Sequence, residues 1–162
     1  MPVSFPVAQL MSTPVVAVSP QARVAEVLHL ADARQIHHFP IVDRRELVGF
    51  VCTCDLAKAD SQDLVMPLAW HHPATVSPHC PASDAARLLL LHGVGSLVIA
   101  DGGGIRGIVT CEDLRHASPE LAAVLEVARC IQCGAGEHLR PGPGGMPLCA
   151  KCKQAQPPSS EP

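Results

Sequence analysis

The sequence predicts an α/β protein: a pseudo-symmetric pair of units with a small, cysteine-bounded appendage behind it. Three observations lead there. First, the frame Gly107-Ile108-Val109-Thr110-Cys111-Glu112-Asp113-Leu114 occurs once before, as Gly49-Phe50-Val51-Cys52-Thr53-Cys54-Asp55-Leu56, displaced by 58 positions (107 minus 49). Second, short apolar runs alternate with stretches of helical period in both halves. Third, the chain closes on Cys130, Cys133, Cys149 and Cys152, spaced C-x2-C-x15-C-x2-C.

The displaced frame makes internal repetition the first matter to settle. The same offset pairs Ser19-Pro20 with Ser77-Pro78, Ile41 with Ile99, Asp43 with Asp101, Gly49 with Gly107, Asp55 with Asp113 and Leu56 with Leu114. Two copies are too few for a solenoid, so they form one paired domain. Upstream, aligning Met11 with Met66 breaks the register and implies an insertion around Ala69-Trp70-His71. The expected boundaries are residues 1–60 for the first copy, 61–118 for the second, 119–153 for a helix and the appendage, and 154–162 for a disordered tail.

Each copy has the same order of elements. Val15-Val16-Ala17-Val18 is a short extended run ended by Ser19-Pro20. Val24, Val27, Leu28 and Ala31 then fall on one helical face. Phe39-Pro40-Ile41-Val42 is a strand that ends in a charged turn, Asp43-Arg44-Arg45. Leu47 to Val51 returns, and Asp55 to Ala59 opens a second helix. Ala74 to Val76, Ala82 to Leu91, Leu97 to Ala100 and Ile105 to Val109 occupy these slots in the second copy. Gly102-Gly103-Gly104 makes its hairpin turn, where positive φ costs little.

A pair of such copies, each closing on the frame Gly-apolar-apolar-(Thr/Ser)-x-x-Asp-Leu, from which Cys52 is a departure, resembles a tandem of cystathionine-β-synthase-type (CBS) domains. The resemblance covers residues 7–115 and is carried by "FPIVDRRELVGF" with "CDL", and by "SLVIADGGGIRGIVTCEDL". It implies one α/β module that stacks into a flat homodimer, a regulatory rather than enzymatic role, and an adenosine-containing ligand in the cleft of the pair.

The Thr110-x-x-Asp113 turn supports two readings. As a capping box it contributes about 0.5–2 kcal/mol and needs no ligand. As a site, the helix start attracts phosphate and the carboxylate accepts from ribose hydroxyls. The resemblance assigns phosphate to Thr110 and ribose to Asp113, and carries over to Asp55. Cys52 stands where Thr110 does, and a thiol is a poor cap and a weak phosphate donor, so Thr53 is the substitute. His37 and His38 are either solvated or pH-dependent phosphate partners. The second copy has Gly95-Ser96 at that place, with one hydroxyl and no charge. Positive charge from His37, His38 and Arg106 is thin for a triphosphate. AMP or ADP therefore suits the sequence better than ATP, with S-adenosylmethionine a related ligand to test.

The four terminal cysteines have the spacing of a tetrahedral metal site. Pro119 starts a helix with Leu121, Leu125 and Ala128 on one stripe, running into Cys130. Gly134 permits the turn of the first knuckle, and the Gly- and Pro-rich loop leaves metal to supply the folding free energy. Zinc suits a closed structural site, and rubredoxin-like iron is the alternative. The segment resembles a zinc ribbon, with some similarity to the fingers of DksA/TraR-type regulators on "CIQCG" and "PLCAKCK". Paired disulfides fit poorly, because no signal peptide leads the chain and the other cysteines lie in ordinary globular sequence. A cytoplasmic setting follows. Cys52, Thr53 and Cys54 near Cys111 leave a redox role open.

Composition sets the outer bounds. Among 162 residues, 48% are hydrophobic, enough for a core. No run approaches the ~20 apolar residues of a membrane span. A net charge of -3 argues against broad electrostatic binding to nucleic acid. Trp70 is expected as a lid on the core, and Leu88 to Leu91 as core or dimer-interface residues. No catalytic constellation is present. The leading expectation is a nucleotide-sensing regulatory module that signals through the ribbon to a partner protein. The alternatives are a ligand-free dimeric scaffold whose ribbon contacts protein or nucleic acid, and an iron electron-transfer module.

Overall fold

The computed structural model describes residues 5–71, 73–92, 94–126, 129, 132–135, 139–141 and 147–154. The elements run α1 (Val24–Arg34), β1 (His38–Asp43), β2 (Glu46–Cys52), α2 (Thr53–Leu56), β3 (Thr75–Val76), α3 (Ala82–His92), β4 (Ser96–Asp101), β5 (Gly104–Thr110), α4 (Cys111–Ala117), α5 (Pro119–Leu125), β6 (Leu139–Pro141), β7 (Pro147–Cys149) and α6 (Ala150–Gln154). They pack as two compact units. One holds residues 12–78 and 98–108; the other holds residues up to 11, 79–97 and 109 onward.

In the unit of residues 12–78, β1 and β2 form an antiparallel hairpin, with Phe39 opposite Val51 and Asp43 opposite Glu46. Arg44 and Arg45 make its turn at φ 47° and 70°, left-handed backbone reached without glycine. Val24, Val27, Phe39, Ile41, Val51 and Leu56 form the core under this hairpin, each fully buried. The run Val15 to Val18 forms no strand of its own and joins the sheet through a parallel bridge, Val18 to Ile41. Its counterpart in β3 pairs Val76 with Ile99, again 58 positions on (76 minus 18, 99 minus 41).

The same offset relates contacts that the sequence left out of register. Pro6 bridges Pro81 and Arg23 bridges Leu64; Ser12 bridges Ile108 and Phe50 bridges Trp70. Each pair maps onto the other by 58 positions (64 minus 6, 81 minus 23; 70 minus 12, 108 minus 50). The expected insertion around Ala69-Trp70-His71 is therefore corrected. Trp70 is the repeat equivalent of Ser12, and the repeat runs ungapped through residues 6–12 and 64–70. Matching Met11 to Met66 misled because the two methionines occupy different positions of their copies.

Trp70 lies on the outer edge of β2. Its backbone exchanges hydrogen bonds with Phe50 at 2.9 and 3.0 Å, and its ring sits 5.7 Å from that of Phe50. α2 is shorter than the sequence predicts and starts earlier, spanning only Thr53–Leu56. The chain must leave it at once to bring Leu64 and Val65 back to Arg23 and Ala22.

In the other unit, α3 packs against α4 and α5, burying Ala82, Ala85, Ala86, Leu89, Leu114, Leu121 and Leu125. Leu90 is partly buried and Leu91 is 73% exposed. Ser118 turns the chain in extended backbone before Pro119, as a residue preceding proline must. α5 keeps the expected Leu121 and Leu125 stripe; Ala128 and Cys130 lie outside the described residues. β6 and β7 pair antiparallel, with Leu139 opposite Cys149. Leu148 and Cys149 are buried against Leu90, Ala135 and Cys152. Gln154 closes α6, and residues 155–162 are outside the described set. No helix among the described residues is long and apolar enough to cross a membrane.

Candidate functional site

Two turns related by the repeat carry the candidate residues, and each is shaped by the strand that feeds it. β5 delivers Thr110 in extended backbone, at φ −111° and ψ 164°. The Thr110 amide and hydroxyl both donate to Asp113 Oδ2 at 2.8 Å. The Asp113 amide in turn donates to Thr110 Oγ1 at 3.2 Å. This is a complete capping box. The hydroxyl has one proton, already given to Asp113, so a phosphate must compete for it. Asp113 is half-buried, and its Oδ1 takes no part in the box.

The first copy is weaker at the same place. The Cys52 amide donates to Asp55 Oδ2 at 3.2 Å, and a sulfur, a poorer acceptor than a hydroxyl, takes the Asp55 amide in return. Thr53 gives its amide to the His37 carbonyl at 2.9 Å, and its hydroxyl lies 3.4 Å from His37 Nδ1. The second copy repeats the backbone contact, with the Cys111 amide on the Gly95 carbonyl at 2.9 Å (95 minus 37, 111 minus 53). Thr53 and His37 are thus brought together. His37 is exposed. His38 instead stacks on Phe50 with ring centroids 5.9 Å apart. Arg106 is committed to Asp101, its Nε 2.9 and 3.0 Å from the two carboxylate oxygens. That hydrogen bond and the adjacent charge hold its guanidinium above the usual value.

Ser96 carries a signal that the sequence only hinted at. It opens β4 ahead of the apolar run Leu97 to Ala100, is 4% exposed, and its hydroxyl has no hydrogen-bond partner among the described residues. A buried hydroxyl left so costs about 1–3 kcal/mol. Next to Thr110, burial pushes the Cys111 thiol up from its ordinary pKa.

The appendage gathers three of the four terminal cysteines. The sulfurs of Cys133, Cys149 and Cys152 all lie within 4.8 Å of one another. Cys133 Sγ and Cys149 Sγ are 3.7 Å apart. Tetrahedral bonds of about 2.3 Å place thiolate sulfurs ~3.8 Å apart, so the donors fit a metal. The Cys152 amide points at Cys149 Sγ from 3.4 Å, the contact expected of a ligating knuckle. Gly134 takes φ +76° just after Cys133, and Arg129 Nη1 donates to its carbonyl at 3.2 Å. Cys130 lies outside the described residues.

Known proteins share this architecture. An uncharacterized 33.4 kDa protein in a ribosomal RNA operon of Thermofilum pendens is 28% identical over 135 residues, 73% of this chain; the chain spans 45% of that relative's length. The structure of CBSX2 in complex with AMP is 26% identical, covers 73% of this chain and 98% of its own, and has a TM-score of 0.61. The cytosolic domain of the Mg2+ channel MgtE in complex with ATP is 25% identical, with a TM-score of 0.64, over 71% of this chain and 49% of its own. The family model of the CBS domain matches twice, at residues 7–62 and 65–120, in the register that the backbone bridges set. The chain belongs to the CBS domain family, as a tandem pair of its domains.

Proposed function

We propose that the chain is a regulatory module that binds an adenine nucleotide or adenosyl ligand through Thr110 and Asp113. The observation that carries the reading is the Thr110–Asp113 turn, whose half-buried carboxylate keeps Oδ1 outside its own capping box. Asp113 Oδ1 would accept from ribose hydroxyls, and Thr110 would meet phosphate. Similarity to CBSX2, solved with AMP, supports the ligand class. AMP and ADP are the first ligands to test, ahead of the ATP found with MgtE. The site around Asp55, lacking the hydroxyl cap, is the weaker of the two.

The terminal cysteines would hold one zinc ion, with Cys130 as fourth ligand, and zinc there would supply structural cross-linking rather than chemistry. The ribbon would pass the ligand state to a partner protein from a homodimer. The test is thermal unfolding with millimolar AMP, ADP, ATP and S-adenosylmethionine. A concentration-dependent rise in midpoint for AMP or ADP is expected, abolished by Asp113→Ala and largely kept by Asp55→Ala. Equal effects of the two substitutions overturn the site assignment.

A second reading has one observation in its favour. Asp113 and Thr110 satisfy each other without a ligand, as a dimeric scaffold requires. No midpoint shift with any of the four compounds would favour the scaffold, with the ribbon as its working end.

A further inference from the structure

We propose that Cys52 and Cys54 are a peroxide-sensitive dithiol that closes to a disulfide. Their sulfurs lie 2.9 Å apart, well inside ordinary contact and short of a bond of about 2.05 Å. The arrangement comes from the β2–α2 junction. Cys52 ends the strand in extended backbone, at φ −110° and ψ 148°, and Cys54 lies in the first turn of α2. The Cys52 amide on Asp55 Oδ2 and the Thr53 amide on the His37 carbonyl hold that junction. Cys52 is fully buried, whereas Cys54 is partly exposed. The two thiols therefore have separate parts, one to meet an oxidant and one to resolve the product.

The chemistry balances with hydrogen peroxide as the oxidant. The Cys54 thiol releases its proton and the thiolate attacks a peroxide oxygen; the S–O bond forms, the O–O bond breaks, and the departing hydroxide takes up that proton and leaves as water. The Cys52 sulfur then attacks the Cys54 sulfur; the S–S bond forms, the S–O bond breaks, and a second water leaves. Two thiols lose two electrons and two protons, and one peroxide becomes two waters. Cys80 and Cys111 are poorer targets, because burial holds both thiols above their ordinary pKa, with Asp84 adding to the effect at Cys80. The inference needs neither a nucleotide nor a metal.

The experiment treats the full chain with hydrogen peroxide, alkylates it with iodoacetamide and digests it with trypsin. Residues 46–58 form one tryptic peptide that contains Cys52 and Cys54 and no other cysteine. The expected product is that peptide unalkylated and lighter by two hydrogen masses, with both thiols restored by dithiothreitol. In Cys52→Ser, or Cys52→Ala, Cys54 should instead be trapped as a sulfenic acid by dimedone. Full alkylation of both thiols after peroxide, or Cys54 passing to sulfinic acid while Cys52 stays alkylatable, overturns the proposal.

Discussion

One hydroxyl at Thr110 both accepts from the Asp113 amide and donates to the Asp113 carboxylate, so its removal strips two contacts from the start of α4. Thr110→Ala should destabilise the protein by about 0.5–2 kcal/mol, read as a lower urea midpoint in the absence of any ligand. The corresponding Cys52→Ala change removes the sulfur that accepts from the Asp55 amide and is itself fully buried, so any loss there combines a weaker cap with lost packing. Thr110→Ser should restore most of the loss, since serine keeps the capping oxygen. An unchanged midpoint in Thr110→Ala would mean that the box contributes nothing. The motif Thr-x-x-Asp was legible in the sequence as both cap and site. The commitment of its one proton was not, because spacing does not show where a hydroxyl points.

At the scale of elements, the outer edge of β2 shows how closely the copies are built. A Cβ at Gly49 would lie 3.2 Å from the Trp70 carbonyl oxygen, 3.3 Å from Ala69 Cβ and 3.4 Å from Ile41 Cδ1. Two of those atoms belong to the segment that pairs with Phe50. Gly49→Ala should therefore push that segment off the strand and cost about 1–3 kcal/mol, the usual cost of overpacking. Trp70 fluorescence should shift to the red as its ring leaves Phe50. A wild-type spectrum and midpoint in Gly49→Ala would show that the edge can yield. Hairpins, helices and glycine turns were readable from periodicity and turn residues. Segments 6–12 and 64–70 were not, since neither has a period, and their partners lie far along the chain.

At the scale of the whole molecule, the described residues of the cysteine-bounded appendage bury few apolar side chains of their own. Leu148 and Cys149 are its buried side chains among the described residues that cluster there, and they lean on Leu90 of α3. Metal should thus decide whether β6 and β7 hold together. Purified protein is expected to contain one zinc per chain, to lose it in Cys149→Ser, and to become protease-sensitive near Lys151 when a strong chelator removes it. The repeat units should keep their helical circular dichroism through that treatment. A red, iron-loaded sample would replace zinc with the electron-transfer alternative, and metal-free protein that resists protease would remove metal from the account.

The sequence by itself determined the α/β class, the pairing of two copies at an offset of 58, the Thr110–Asp113 turn and the cysteine spacing. All of these are local patterns: periods of apolar residues, a cap three positions long, knuckles of C-x2-C. What only the tertiary structure decided was non-local. It set the repeat register through Pro6 to Pro81 and Phe50 to Trp70. It joined Thr53 to His37 and Arg106 to Asp101, left the Ser96 hydroxyl without a partner among the described residues, and placed the Cys52 and Cys54 sulfurs 2.9 Å apart. The reason is physical. A local pattern is dictated by backbone geometry over a few residues, whereas a side chain's partner is settled by packing, which a linear spacing does not contain.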